Sequence, residues 1–173
     1  MDTDEPDGEA TERPLAFVDI DGVLADVRHR LHFIERRPRD WDGFFAAAVD
    51  DPAHPEGMAL LKTLEGDHEI VLLTGRPRRL ATDTERWLTQ HDVGGHRLIM
   101  RPEGDRRPAA LVKLGLLRQV AAGRRVAVVV DDDEDVIRAM RDAGYPTFHA
   151  TWEHRGDEDE HELHVAQEEL GRT

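Results

Sequence analysis

The chain has 173 residues, enough for one domain with a substantial core, and no cysteine, which excludes a disulfide framework and thiolate chemistry. Its net charge is −14, it opens on the acidic run Met1-Asp2-Thr3-Asp4-Glu5 rather than on a basic secretory leader, and no stretch approaches the roughly 20 apolar residues of a membrane span, so a cytoplasmic protein that does not engage membranes is expected. The charge is uneven: residues 1–13 hold −5 and residues 153–173 hold −6, leaving −3 for 14–152. Both ends read as acidic tails, the first disordered and the second partly helical.

In chain order, short apolar runs alternate with helical patterns. Leu15–Val18 reads as a first strand and is followed by Asp19-Ile-Asp21-Gly22. Residues 25–54 break the alternation and concentrate aromatic, His and Arg side chains, as a small helical cap over the strand ends would. Pro55–Glu65 is helical, with Met58, Leu61 and Leu64 on one face. A second strand, His68–Leu73, ends at Thr74-Gly75-Arg76-Pro77, and a helix follows over Arg78–His91. Arg97–Met100 is a short third strand, and Pro108–Ala121 is a helix that carries Lys113. Arg125–Val130 is a fourth strand that ends at Asp131-Asp132-Asp133, Glu134–Ala143 is a helix with Gly144 as its terminator, and Pro146–Ala150 is a fifth strand. Strands of four to six apolar residues separated by helices imply a parallel α/β sheet covered on both faces, over residues 14–152.

In such a sheet the segments after strands one, two and four open at the same edge, where ligands bind. Asp19 and Asp21, Thr74-Gly75-Arg76, and Asp131–Asp133 then meet there, with Lys113 reaching in from its helix. Each has an ordinary reading when taken singly. An Asp-x-Asp pair serves turns and caps, Thr-Gly is a common turn, Asp131–Asp133 could cap the helix at 134, and Lys113 could be a solvated helix residue. Together, and in this order, they describe a phosphoryl-transfer site. Clustered carboxylates resist joint ionisation, and a hard dication such as Mg²⁺ removes the conflict. Asp19 is then the candidate nucleophile, Asp21 the acid/base, and Thr74 and Lys113 the groups that hold a phosphoryl anion.

These residues resemble the four motifs of the haloacid-dehalogenase-like phosphohydrolase superfamily, matched at Asp19-x-Asp21-Gly-Val-Leu, Thr74-Gly-Arg, Lys113 and Asp131-Asp132 over about residues 14–150. The resemblance implies a Rossmann-like three-layer fold, Mg²⁺ as cofactor and an aspartyl-phosphate intermediate. It implies that the metal is held by Asp19, Asp21 (through its carbonyl) and Asp132, with Asp131 in support. Within the superfamily the chain is most similar to the 3′-phosphatase domain of bacteriophage-type polynucleotide kinase, through Thr74-Gly75-Arg76, the stretch Arg101-Pro-Glu-Gly104-Asp105-Arg106-Arg107 leading to Lys113, and Asp131-Asp132 before a helix ending at Gly144. No Gly-x-x-x-x-Gly-Lys-Ser/Thr loop occurs, so no kinase half is encoded here. The implied activity is a phosphomonoesterase acting on a nucleotide or on a nucleic-acid 3′ end. A sugar or metabolite phosphatase is the alternative, and a phosphate-binding module without turnover is a third reading.

Gly75, Arg76, Arg101 and Arg106 are candidates for substrate contact, and Arg107 reads as a surface residue. In the 25–54 segment His29, Arg30, His32 and Trp41 could select the leaving group, whereas Trp41, Phe44 and Phe45 have the spacing of a buried helix face. His149, His154, His161 and His164 are a poor zinc pattern without cysteine. No obligate protein partner is expected from the sequence.

Overall fold

A computed structural model describes residues 12–153; the acidic tails expected over 1–13 and 153–173 lie almost wholly outside the described residues, as do His154, His161 and His164. Five strands form one all-parallel sheet in the order β3-β2-β1-β4-β5. They are β1 (Leu15–Val18), β2 (Glu69–Pro77), β3 (Arg97–Arg101), β4 (Val126–Asp131) and β5 (Thr147–His149). The chain runs outward from β1 through β2 to β3, then returns to β4 on the other side of β1. The crevice between β1 and β4 is therefore the point where the winding reverses.

Side chains alternate across each strand, and the two faces build two cores. Ala16, Val18, Ile70, Leu72 and Val130 face α3 (Pro55–Leu64) and α4 (Ala81–Gln90), where Leu61, Trp87 and Leu88 are buried. Leu15, Phe17, Val71, Leu73 and Val129 face α5 (Ala109–Ala121) and α6 (Glu134–Asp142), where Leu117, Val136 and Met140 close the layer. This is the three-layer, Rossmann-like α/β fold expected from the sequence. The helix boundaries agree with the sequence pattern to within a few residues, and Gly144 (φ 88°) follows the last turn of α6 in the left-handed conformation that stops a helix.

One strand differs from expectation. β2 does not end at Leu73 but continues through Thr74-Gly75-Arg76 to Pro77, with a break in its register against β3 between Thr74 and Pro77. A motif that reads as a turn is thus an irregular extension of the strand, and it carries Arg76 into the protein.

Residues 25–54 form an insert between β1 and α3. It holds a 3-10 turn at Arg28–Arg30, α1 (His32–Glu35), α2 (Trp41–Ala46) and a second 3-10 turn at Ala47–Asp50. The insert has its own small core of Val27, Leu31, Ile34, Trp41, Phe44 and Phe45. Asp40 caps α2 by accepting the Gly43 N–H at 2.8 Å. Where the insert leaves and rejoins the sheet, Asp26 N–H donates to the Pro52 carbonyl and His54 N–H to the Leu24 carbonyl, each at 2.8 Å.

Candidate active site

The sheet places Asp19 directly after β1 and Asp131 at the end of the adjoining β4, where the Asp19 N–H donates to the Val130 carbonyl at 2.9 Å. Lys113 comes from the second turn of α5 and is buried between them. Its Nζ donates to Asp19 Oδ2 at 2.7 Å and to Asp131 Oδ2 at 2.8 Å. The other oxygen of Asp19 accepts the Ile20 N–H at 2.8 Å, and that of Asp131 accepts the Asp133 N–H at 3.1 Å. Asp133 in turn caps α6 by accepting from the Asp135 and Val136 N–H groups. The Asp131–Asp133 run therefore serves both readings, with Asp131 and Asp132 at the site and Asp133 capping the helix.

Oxygens of Asp19, Asp131 and Asp132 lie within 4.8 Å of one another. Burial pushes the Asp19 carboxyl up to about 8; Lys113 opposes this, while Asp131 and Asp21 add to it. Burial likewise raises Asp132 well above the usual carboxylate range, and the charges of Asp131, Asp19 and Glu153 raise it further. Lys113 sets one positive charge against three clustered carboxylates. An all-oxygen donor set that resists ionisation by itself fits a hard dication such as Mg²⁺.

Asp21 is held differently. Arg76 Nη2 donates to its Oδ1 at 2.6 Å and Nε to both oxygens at 3.1 and 3.2 Å, while Arg30 Nη2 donates to Oδ1 at 2.7 Å. Burial works against ionisation of Asp21, but the two guanidiniums outweigh it and hold the carboxyl well below the usual carboxylate range. Lys113 is governed in the same way: burial would discharge it, and Asp131 and Asp19 keep it protonated.

Both arginines are anchored by Asp51. Arg30 forms a two-point pair with it, Nε to Oδ1 and Nη2 to Oδ2, both at 2.7 Å. Arg76 Nη2 reaches Asp51 Oδ2 at 3.0 Å, and His29 Nε2 lies 2.7 Å from Asp51 Oδ1. The Arg30 guanidinium also stacks 4.2 Å from the centroid of Phe44. Asp51 was not among the residues singled out from the sequence. The one signal for it was an acid placed just before Pro52 and the start of α3, which reads equally well as a cap.

Thr74 is buried, and its Oγ1 accepts the Arg76 N–H at 3.2 Å. Arg101 is buried and braces the loop before α5, donating to the carbonyls of Gly75 at 3.2 Å, Asp105 at 3.2 Å and Arg107 at 2.9 Å. Arg106 and Arg107 are exposed on that loop, Arg107 being paired with Asp105. In the insert, Trp41, Phe44 and Phe45 are buried together as their spacing implied, His32 is exposed, and His29 and Arg30 point to Asp51. His149 Nε2 contacts the Asp132 carbonyl at 2.8 Å. A residue that the sequence did not suggest is Glu153, whose Oε2 faces Asp132 across Gly22. A Cβ built on Gly22 would lie 2.1 Å from Asp132 Oδ2 and 2.6 Å from Glu153 Oε2.

Comparison with known proteins gives the same direction. The sequence model of the polynucleotide kinase PNKP phosphatase domain matches residues 14–153. A protein of Autographa californica nuclear polyhedrosis virus, named "Putative bifunctional polynucleotide kinase/RNA ligase", is 29% identical over 133 residues, which is 75% of this chain and 18% of that protein. A chain in the structure of the Pnkp1/Rnl/Hen1 RNA repair complex superposes with a TM-score of 0.66 at 23% identity, covering 83% of this chain and 44% of the other. A haloacid dehalogenase-like hydrolase from Streptococcus pneumoniae superposes with a TM-score of 0.60 at 14% identity, covering 90% and 91% of the two chains. The chain thus spans less than half the length of the first two of these relatives and nearly the whole of the third.

Proposed function

Because the chain belongs to the polynucleotide kinase phosphatase domain family and is a phosphatase of the haloacid dehalogenase-like type, we propose that it removes phosphate from the 3′ ends of nucleic acid or nucleotides through an aspartyl-phosphate on Asp19. The observation that carries the chemistry is the division of labour between two acids one residue apart: Asp19 is held by Lys113, and Asp21 by Arg76 and Arg30.

On this reading an Asp19 oxygen attacks phosphorus, a new P–O bond to Asp19 forms, and the P–O bond to the leaving alcohol breaks. Asp21 delivers a proton to the departing oxygen and later takes one from the water that hydrolyses the aspartyl-phosphate, regenerating Asp19. A phosphate dianion arriving beside Asp21 raises its proton affinity by charge alone, against the pull of the two guanidiniums, so that Asp21 first takes up from solvent the proton it then delivers. Lys113, the Thr74 hydroxyl and the backbone N–H groups from Gly75 onward hold the phosphoryl group. Asp19, Asp132 and the Asp21 carbonyl, supported by Asp131, would hold Mg²⁺, which when bound neutralises charge on the carboxylates and the phosphoryl oxygens. Arg76 acts through Asp21, Arg101 through the loop it braces, and Arg106, exposed on that loop, meets the rest of the substrate. Residues 25–54 serve as a cap over this edge.

The sequence-based expectation that no obligate protein partner is needed has no support, since a structural relative was solved within a complex with Rnl and Hen1. No described helix is long and apolar enough to cross a membrane.

The test is a panel of 3′-phosphorylated oligonucleotides and nucleotides against sugar and metabolite phosphates, with Mg²⁺. The 3′-phosphorylated substrates should be preferred, and Asp19→Asn should abolish release without unfolding the protein. Faster release from sugar phosphates would replace the nucleic-acid reading, and full activity in Asp19→Asn would remove the mechanism.

A further inference from the structure

A second group of chemically capable side chains meets at the neck of the insert, beside the first site but built from other residues. Asp26 stands where the chain enters the insert, His54 where it leaves, and Glu153 follows β5. Each offers a ligand atom, and these atoms lie within 4.8 Å of one another.

Among the described residues, two buried atoms in this group have no hydrogen-bond partner. His54 is 5% exposed, and its Nε2 points at Glu153 Oε1 from 3.7 Å, too far for a hydrogen bond. Glu153 is 8% exposed; its Oε1 accepts the Val27 N–H at 2.9 Å, while its Oε2 is unpartnered. An imidazole nitrogen left unpaired in a protein interior is costly, and a cation shared with the Glu153 carboxylate satisfies it.

The third member stays ionised. Hydrogen bonds from the Arg28 side chain, reinforced by the Arg28 N–H, hold the Asp26 carboxyl down at about 2. Each carboxylate oxygen has two lone pairs, so the pairing with Arg28 leaves acceptor capacity, and the half-exposed Arg28 does not bury it. Asp26 is also the least buried of the three, which gives an ion its route in from solvent.

We propose that Asp26, His54 and Glu153 form a second divalent-cation site, of the Zn²⁺ type, that ties both ends of the insert to the segment after β5. One nitrogen and two carboxylate oxygens match a tetrahedral zinc or a similar late first-row dication, with the fourth position left to water. The donor set separates this site from the all-oxygen cluster of Asp19, Asp131 and Asp132, where Mg²⁺ fits.

The experiment is calorimetric titration of the full chain with Zn²⁺ in a large excess of Mg²⁺, with a thermal melt of each mixture. The wild type should bind Zn²⁺ and melt at a higher temperature with it. His54→Ala should lose one equivalent of bound Zn²⁺, or bind it more than about 100-fold more weakly, and lose the thermal gain. Asp26→Asn, at a half-buried position that tolerates the change, should weaken binding in the same direction and keeps the test open if His54→Ala does not fold. Asp132→Asn should retain the Zn²⁺. Absence of Zn²⁺ binding in the wild type, wild-type binding in both neck variants, or loss of Zn²⁺ with Asp132→Asn alone would each overturn the proposal. None of these outcomes bears on phosphate release, so this site and the phosphatase reading stand or fall separately.

Discussion

Arg30 and Asp51 meet in a two-point ion pair with neither side chain exposed to solvent, 21 residues apart in the chain and at opposite ends of the insert. The pair holds the Arg30 guanidinium so that its Nη2 also reaches Asp21. Removing one partner of a buried pair leaves an uncompensated charge and typically costs about 3–5 kcal/mol. Asp51→Asn should therefore destabilise the protein by that order in urea unfolding, and its phosphatase activity should fall at temperatures where it remains folded. A loss under about 1 kcal/mol, the range of an exposed pair, would show that solvent reaches the pair.

Gly22 should not tolerate a side chain. Its φ of 74° is in the left-handed region, and a Cβ would lie 2.1 Å from Asp132 Oδ2. The backbone strain of Gly22→Ala amounts to about 1–2 kcal/mol, but the larger effect falls on the carboxylate that must move. The Mg²⁺ concentration for half-maximal activity should rise by about tenfold or more, the order seen when groups that orient metal ligands are disturbed. An unchanged Mg²⁺ requirement would mean that Asp132 does not hold the metal.

Two helical glycines should respond in opposite directions to the same substitution. In α3, a Cβ on Gly57 would stand 1.8 Å from the Val23 carbonyl oxygen, a backbone atom that cannot yield cheaply. Gly57→Ala should destabilise by about 1–3 kcal/mol despite alanine's better helix propensity. In α5, no described residue lies within 4 Å of the same position at Gly115, so Gly115→Ala should stabilise by up to about 1 kcal/mol. Paired denaturation curves decide it, and equal signs would refute the packing of α3 onto the loop after β1.

Without metal, stability should fall as pH rises from about 4 to about 8. A carboxyl held near 8 by burial keeps its proton in the folded chain long after the unfolded chain has lost it, so each step up in pH favours unfolding. Asp132 and Asp131, also raised by burial, act in the same direction. Asp21 has the opposite sign, but its contribution is complete above its ordinary value of 3.8 and is lost only on acidification below it. The midpoint of thermal unfolding in EDTA should therefore be lower at pH 8 than at pH 5.5. Saturating Mg²⁺ should flatten the slope by favouring the ionised cluster, and Asp19→Asn should reduce it without metal. A midpoint in EDTA that rises over this range would contradict the burial of Asp19.

The sheet and the principal carboxylates were legible because each is written locally. Four or five β-branched and aliphatic residues followed by Asp-x-Asp-Gly or Asp-Asp-Asp specify both a buried strand and what stands at its end. β2 runs past the end its sequence predicts because Thr-Gly-Arg has turn chemistry, and pairing with Met100 and Arg101 keeps it in the sheet. Asp51, His54 and Glu153 stayed hidden for a related reason: their partners lie far away in the chain or across the fold, as Glu153 does from Val27. The arginine-rich stretch drew attention to Arg101 but could not show that its guanidinium donates to three backbone carbonyls, since those partners are set by the fold.

The insert leaves β1 and rejoins the domain at almost the same point, where Asp26 bonds to Pro52 and His54 to Leu24. By chain path alone it is a detachable module that could be exchanged for another loop of different length. Its charges deny that freedom. A replacement without an arginine in the place of Arg30 and an acid in the place of Asp51 would leave Asp21 with half its counter-charge and Arg76 without its second anchor. Any swap of this segment must therefore carry those two residues along, or it will also shift the ionisation of Asp21.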